Sequence, residues 1–391
     1  MGTTPPAPRI YLDHNATTPL DPAAREAMLP FLGAAFGNAS SVHAAGRAAR
    51  EAVEAARAEV AALCGARTEE VIFVSGGTEA DNFALRAGLR AAREAGRAPH
   101  LITSAVEHPA VADCAAALAA EGVAVTALPV DRHGRLDPDD LRRALRPDTA
   151  LVSIQWANHE IGTLYPIAEL CALTHERGAL FHCDAVQAAG KAPIAAGPGG
   201  PDLLSVSAHK LYGPKGAGAL CARRDLRLGP LLAGGHQERG RRPGTENVAA
   251  LVGFGVAAAG ARTRLRADAE RLGRLRARLE VALLALPGAW LNGDPAHRVP
   301  GTLNVGFDGV EGELVLINLD LAGVCVSTGA ACSSGSLDPS PVLLALGQSA
   351  REARAAVRFS LGRGTTEAEV DEVAALMPGI LERVRTLAPQ G

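Results

Sequence analysis

Residues 71–104 read VIFVSGGTEADNFALRAGLRAAREAGRAPHLITS, and this stretch decides the fold. VIFVS is a short apolar run rich in β-branched and aromatic residues, TEADNFALRAGLRAAREAG has helical periodicity, and LITS is apolar again. A strand, a Gly-Gly turn, a helix and a second strand make one unit of an α/β fold. The same alternation runs outward in both directions. Upstream lies amphipathic RAAREAVEAARAEVAALCG (47–65), closed by a helix-stopping glycine. Downstream come the helix HPAVADCAAALAAEG, the strands VAVTALPV and TALVSIQ, the helix PIAELCALTHERG, and then the strands ALFHCD, LLSVSA and GALCAR. Strands alternating with helices of this length predict a mostly parallel central sheet covered on both faces. A long helical stretch at 249–286 then leads to a second set of elements, GTLNVGF, ELVLINLDLAG, VCVST and AVRFSL. The expected division is an N-terminal segment 1–20 packing with the smaller domain, a large domain 21–258, and a small α+β domain 259–391.

Composition narrows the function class. The chain has 391 residues, 48% of them hydrophobic and 21% charged, enough for a large core. Its formal net charge of −3 gives no reason to expect nucleic acid, and its arginines alternate with acidic residues as on a solvated helix face. The start MGTTPPAPR lacks the order of a signal peptide and no apolar run suggests a membrane span, so a cytoplasmic protein is expected. The seven cysteines form no C-x-x-C pair and imply free thiols and no intrinsic metal site. Most sit in apolar runs as core fillers. Cys332 differs: STGAACSSGSLDPS is small, polar and turn-forming, the composition of a loop.

Lysine is the informative residue. Of the 39 basic residues only Lys191, Lys210 and Lys215 are lysines. Arginine cannot replace an amine that must lose its proton and attack a carbonyl, so an imine-forming lysine is the position that drift toward arginine cannot touch. Lys210 follows a strand, in SVSAHK, beside Ser207 and His209. Two other strands end in polar residues. VIFVSGGT offers Gly76, Gly77 and Thr78 at a helix start, either as a plain cap or as a phosphate cradle. ALFHCDAVQ offers Asp184 and Gln187, where the aspartate alone would serve equally as a helix cap. In open α/β sheets ligands bind beyond the carboxyl ends of the strands. Together the three sites suit pyridoxal phosphate, with Lys210 bonded to its aldehyde, Asp184 on the pyridine nitrogen, and the glycines, Thr78, Ser207 and His209 on the phosphate. The plainer alternative is that the lysines are surface residues.

The motifs YLDHNATTP (11–19), FGNASSVH (36–43), SGGTEADN (75–82), VEHPAV (106–111), NHEIGT (158–163), HCDAVQAAGK (182–191), SAHKLYGPKG (207–216), PGTEN (243–247), GAACSSGSLDPS (329–340) and RFSLGR (358–363) occur in this order over nearly the whole chain. In these the sequence resembles the cysteine desulfurases of the NifS/IscS group, fold-type I pyridoxal phosphate enzymes of the class V aminotransferase superfamily. The resemblance implies a homodimer that takes sulfur from L-cysteine, releases L-alanine, and passes the sulfur as a persulfide to an acceptor or iron-sulfur scaffold protein. It implies catalytic roles for Lys210, for His108 as ring-stacking acid or base, and for Cys332 as the thiol that receives the sulfur. Cofactor contacts are implied for Gly77, Thr78, His108, Asn158, Asp184, Gln187, Ser207, His209 and, across the dimer, Thr245. Asn38 and Arg358 are implied at the substrate, the latter gripping its carboxylate. Cys332 could also meet an iron-sulfur cluster held by a partner.

Three departures stand out: His159 in NHEIG where asparagine is usual, Pro243 before GT, and Ala208 before HK. The chain also ends without the longer tail by which some members dock a scaffold. Two alternatives remain at this point. A selenocysteine lyase or class V transaminase would not need the thiol loop, and a sulfur-transfer scaffold without catalysis would not need Lys210, Asp184 and His108.

Overall fold

The computed structural model describes residues 10–94, 96, 99–328 and 338–387. The chain opens with a two-residue strand β1 (Ile10–Tyr11), then helices α1 (Pro22–Met28) and α2 (Ala44–Cys64). Helix α2 stops where its sequence predicts, at Gly65, whose φ of 62° is the left-handed conformation glycine adopts without a side-chain clash. There follow β2 (Val71–Val74), α3 (Gly77–Glu94), β3 (His100–Ser104), α4 (Pro109–Ala120), β4 (Ala124–Leu128), α5 (Pro138–Ala144), β5 (Thr149–Ser153), α6 (Ile167–His175), β6 (Leu180–Asp184), β7 (Leu203–Ser207) and β8 (Gly218–Ala222).

Strands β2 to β8 form one seven-stranded sheet in the order β2-β8-β7-β6-β5-β3-β4. The β3-β4, β3-β5, β5-β6 and β6-β7 pairs are parallel, as the alternating pattern predicts. Only β8 runs the other way, antiparallel to both β7 and β2. The cause is local. The connection 208–217 holds no more than a 3₁₀ turn at Ala208–Lys210, too short for the crossover that a parallel return requires. Strands β2 and β3 point the same way but are not neighbours, since β8, β7, β6 and β5 lie between them. The central strands are buried along their whole length, which explains why they read as continuous apolar runs.

Helix α7 (Val248–Leu284) leaves this layer. By length and composition it could cross a membrane, but half of its most apolar window is buried in the protein. Its first half supplies Leu251, Phe254 and Ala261 to the core of the large sheet, and its second half supplies Leu275, Leu279 and Leu283 to a different core. That second core surrounds β9 (Ala289–Asn292), β10 (Thr302–Phe307), α8 (Gly312–Leu321), β11 (Val324–Cys325), β12 (Ala356–Ser360) and α11 (Glu367–Leu387), whereas the short helices α9 (Pro341–Ala345) and α10 (Ala350–Arg354) pack Val342, Leu343 and Ala353 into the core of the large sheet. Here β10 is flanked antiparallel by β9 and β12. The N-terminal β1 pairs with β11, Ile10 opposite Val324, so the start of the chain is tied to its last third.

Candidate active site

The carboxyl ends of β2, β6 and β7 gather the expected residues. Asp184 is the last residue of β6, paired with Ser205 of β7. Strand alternation places His182 and Asp184 on one face of the sheet, with Ser205 and Ser207 of β7 beside them. His182 lies 2.8 Å from the Ser153 hydroxyl and 2.9 Å from that of Ser205. Asp81 of α3 approaches from above, its Oδ1 3.5 Å from His182 Nε2. This is a buried polar layer under the site. Burial, and then the charge of Asp81, push the Asp184 carboxyl up to about 7; burial alone carries Asp81 there too. Asp184 does not cap a helix; its Oδ1 accepts a hydrogen bond from Val186 N at 2.8 Å and shapes the turn that follows β6.

Lys210 leaves the end of β7 through the 3₁₀ turn, and its Nζ donates to the main-chain oxygens of Asn15 (2.5 Å) and Ala16 (2.9 Å). His209 faces the same N-terminal segment, its ring 3.1 Å from Thr17 Oγ1, and burial lowers its pKa to about 4. Ser207 Oγ is buried and finds no hydrogen-bond partner among the described residues. Gly77 begins α3 directly beside it: a Cβ there would stand 2.8 Å from Val186 Cγ2. Thr78 follows and is exposed. The Gly77 turn therefore packs against the turn that follows β6 and against Ser207 at the end of β7, with helix N–H groups pointing outward.

His108 caps α4, its Nδ1 accepting from Ala110 N at 3.1 Å. Burial lowers its pKa, while the Asp184 charge pulls the other way. Its ring meets the buried ring of His159 edge to face, centroids 5.1 Å apart. Asn158 is buried and largely occupied, donating to Val106 O (3.0 Å) and accepting from Glu160 N and Ile161 N. Gln187 donates to Asn15 O at 2.9 Å.

The two substrate candidates behave differently. Arg358, buried on β12, donates to Asp13 Oδ1 (2.9 Å) and to the main-chain oxygen of His159 (3.0 Å), leaving Nε without a partner among the described residues. Asn38 is exposed and caps its own turn by accepting from Ser40 N at 2.8 Å. Thr245 is exposed in the turn before α7, three residues after Arg242, whose guanidinium binds Glu79 in the first turn of α3 at 2.8 Å. Cys332 lies outside the described residues.

Three further residues, Asn15, Lys191 and Asp13, belong to the same network. Asn15 is the hub: beyond the bonds above, its side chain donates to Thr302 Oγ1 (2.9 Å) and to His159 O (3.1 Å), and its N–H binds Ser360 Oγ (2.9 Å). The scarcity of lysine pointed at Lys191, and the YLDHNATTP motif at Asn15 and Asp13, but neither signal says which groups they meet.

The class V aminotransferase family model matches residues 10–373. A cysteine desulfurase of Gluconacetobacter diazotrophicus is 50% identical over 383 residues, covering 97% of this chain and 95% of that relative. The cysteine desulfurase IscS of an Anaeromyxobacter species is 50% identical over 384 residues, covering 97% and 94%. A solved NifS-like protein superposes with a TM-score of 0.90 at 35% identity, covering 96% of this chain and all of that one. The chain belongs to the class V aminotransferase family of pyridoxal phosphate enzymes, within its cysteine desulfurase group.

Proposed function

We propose that the protein converts L-cysteine to L-alanine and leaves the sulfur as a persulfide on Cys332, supplying iron-sulfur cluster assembly. It is an enzyme of the cysteine desulfurase type. The observation that carries the site assignment is the convergence of Lys210, Asp184 and Ser207 on the carboxyl ends of adjacent strands, with the Gly77 turn against them.

These residues fit pyridoxal 5'-phosphate. Leaving a buried hydroxyl such as Ser207 Oγ unpaired costs roughly 1–3 kcal/mol, so its position suits a guest acceptor. The close packing of Gly77 on Val186 brings helix N–H groups where a phosphate would sit, joined by Thr78, Ser207 and His209. Asp184 would hold the pyridine nitrogen, Gln187 and Asn158 the ring oxygen, and Lys210 the aldehyde carbon. When bound, the cofactor supplies an electron sink for cleavage at the substrate's carbons. Lys210 moves the α-proton once its nitrogen is freed. His108, kept neutral by burial, stacks on the ring and accepts or returns a proton. Arg358 takes the substrate carboxylate by exchanging it for Asp13, and Asn38 lines the entrance. The Cys332 thiolate accepts the sulfur: its S–S bond forms as the substrate's C–S bond breaks, and a proton takes the sulfur's place on carbon.

The surface position of Thr245 supports a homodimer in which it reaches the neighbour's phosphate, with L-cysteine and a sulfur-acceptor or scaffold protein as the other partners and the cytoplasm as the place of action. The split of α7 between two cores and the β1-β11 pairing support domains at 21–258 and 259–391, with 1–20 joining the smaller one.

The test is to incubate the purified protein with cysteine and a thiol and to measure alanine and sulfide together. Equal amounts of both, lost in Cys332→Ala and Lys210→Ala, are expected. Pyruvate in place of alanine, or full activity of Cys332→Ala on cysteine, would overturn the assignment.

A further inference from the structure

Lys191 is the second lysine at the site, and no role above uses it. It lies in HCDAVQAAGK, four residues after Gln187 and partly buried, and it lines the same cleft as Lys210 with His14, Asn15 and Tyr212. Its Nζ donates to Gln187 Oε1 at 2.5 Å and to Asn15 Oδ1 at 3.0 Å. Asn15 closes the circuit, because its main-chain oxygen accepts from both Lys210 Nζ and Gln187 Nε2.

The two ends of a glutamine amide have nearly the same shape, and only the hydrogen-bond network decides which faces a ligand. Here one end is fixed. An ammonium has donors and no acceptor, so the group it touches at 2.5 Å must be the amide oxygen. The NH2 end of Gln187 is thereby turned toward Asn15 O with its second hydrogen to spare. Without Lys191 the amide would be held in this sense by the Asn15 carbonyl alone, with its oxygen end left without a donor.

We infer that Lys191 is a positioning residue that fixes the donor face of Gln187 toward the cofactor's ring oxygen. The inference rests on the cofactor reading above. It also explains a second surviving lysine in a chain of 36 arginines, since two acceptors at this site cannot satisfy the five N–H groups of a guanidinium. The site is crowded with positive charge: burial and then the Lys210 and Arg358 cations lower the Lys191 amine to about 7, and His14 and His209 in turn sense Lys191. Its role in orienting Gln187 therefore weakens above neutral pH, where an amine that has lost its proton no longer dictates the flip.

The test is a double-mutant cycle on pyridoxal 5'-phosphate retention by the holoenzyme, read from the visible band as the cofactor is dialysed away. Lys191→Met is expected to raise the cofactor's Kd about tenfold, and Gln187→Ala by a similar factor. In the Gln187→Ala background Lys191→Met should change Kd by less than about twofold, which a general loss of stability would not produce. If Lys191→Met does not fold, Lys191→Gln, which fills the space without a charge, carries the same comparison. Independent effects of the two substitutions, or a wild-type Kd in the folded Lys191 variant, would overturn the inference while leaving the function intact. A wild-type protein that holds no cofactor would remove the reading on which it rests, and the inference with it.

Discussion

The strand ends of the large sheet and the β12 edge of the small one both supply residues to the proposed reaction, but they are prepared differently. At the large sheet, buried groups wait with unmet capacity: Ser207 Oγ and Asp81 Oδ1 have no hydrogen-bond partner among the described residues, and the Asp184 carboxyl is pushed up to about 7. At β12, Arg358 is already engaged by Asp13 and by the His159 carbonyl. One region is a seat shaped in advance for its guest. The other is a latch that must trade an internal partner for the substrate. Preorganisation of the first lowers the cost of holding the cofactor, while exchange at the second makes the grip conditional on a carboxylate arriving.

The largest expected effect falls on the seat. Lys210→Ala should lower the rate of alanine formation from cysteine by about 10⁴-fold or more, because the group lost bonds to the cofactor and also moves a proton. The latch should respond through substrate affinity. Arg358→Ala is expected to lower kcat/KM for cysteine by about 10²- to 10³-fold, mostly through KM, as loss of a bidentate carboxylate contact does. A loss confined to kcat would place Arg358 outside substrate binding.

The polar layer below the seat makes a pH prediction. Asp81 binds its proton more tightly folded, at about 7, than unfolded, near 3.8, so its contribution to stability is present at low pH and is lost as pH rises through 7. Asp81→Asn should therefore gain roughly 2–3 kcal/mol relative to wild type between pH 5 and pH 8 in urea unfolding of the cofactor-free protein. A difference independent of pH would show that Asp81 is not the proton store. The smallest effect concerns the latch's internal partner. Asp13→Asn removes the competing carboxylate, and KM for cysteine should fall by about threefold; a rise would show that Asp13 positions Arg358 instead of competing with the substrate.

Both regions were legible in the sequence to different depths. The α/β alternation gave the parallel sheet, and Gly65 and the Gly-Gly turn gave helix boundaries, because periodicity and glycine act over a few residues. The antiparallel course of β8 was not visible, since it depends on the length of one connection more than on the apolar run GALCAR. At the site, strand-end position and the scarcity of lysine pointed to Lys210, Asp184 and Ser207. What they could not give were contacts made across the chain: Asn15 reaches Lys210, Lys191 and Thr302, at separations of 176 residues and more, and Asp13 reaches Arg358 across 345. Such pairings follow from the topology that ties β1 to β11, and no local pattern encodes them.

Of the three lysines, Lys210 is the one assigned to covalent chemistry. Borohydride reduction of the cofactor-loaded protein, followed by peptide mapping, should place a pyridoxyl group on Lys210 and leave Lys191 and Lys215 unmodified. A label on either of those two, or on none, would contradict it.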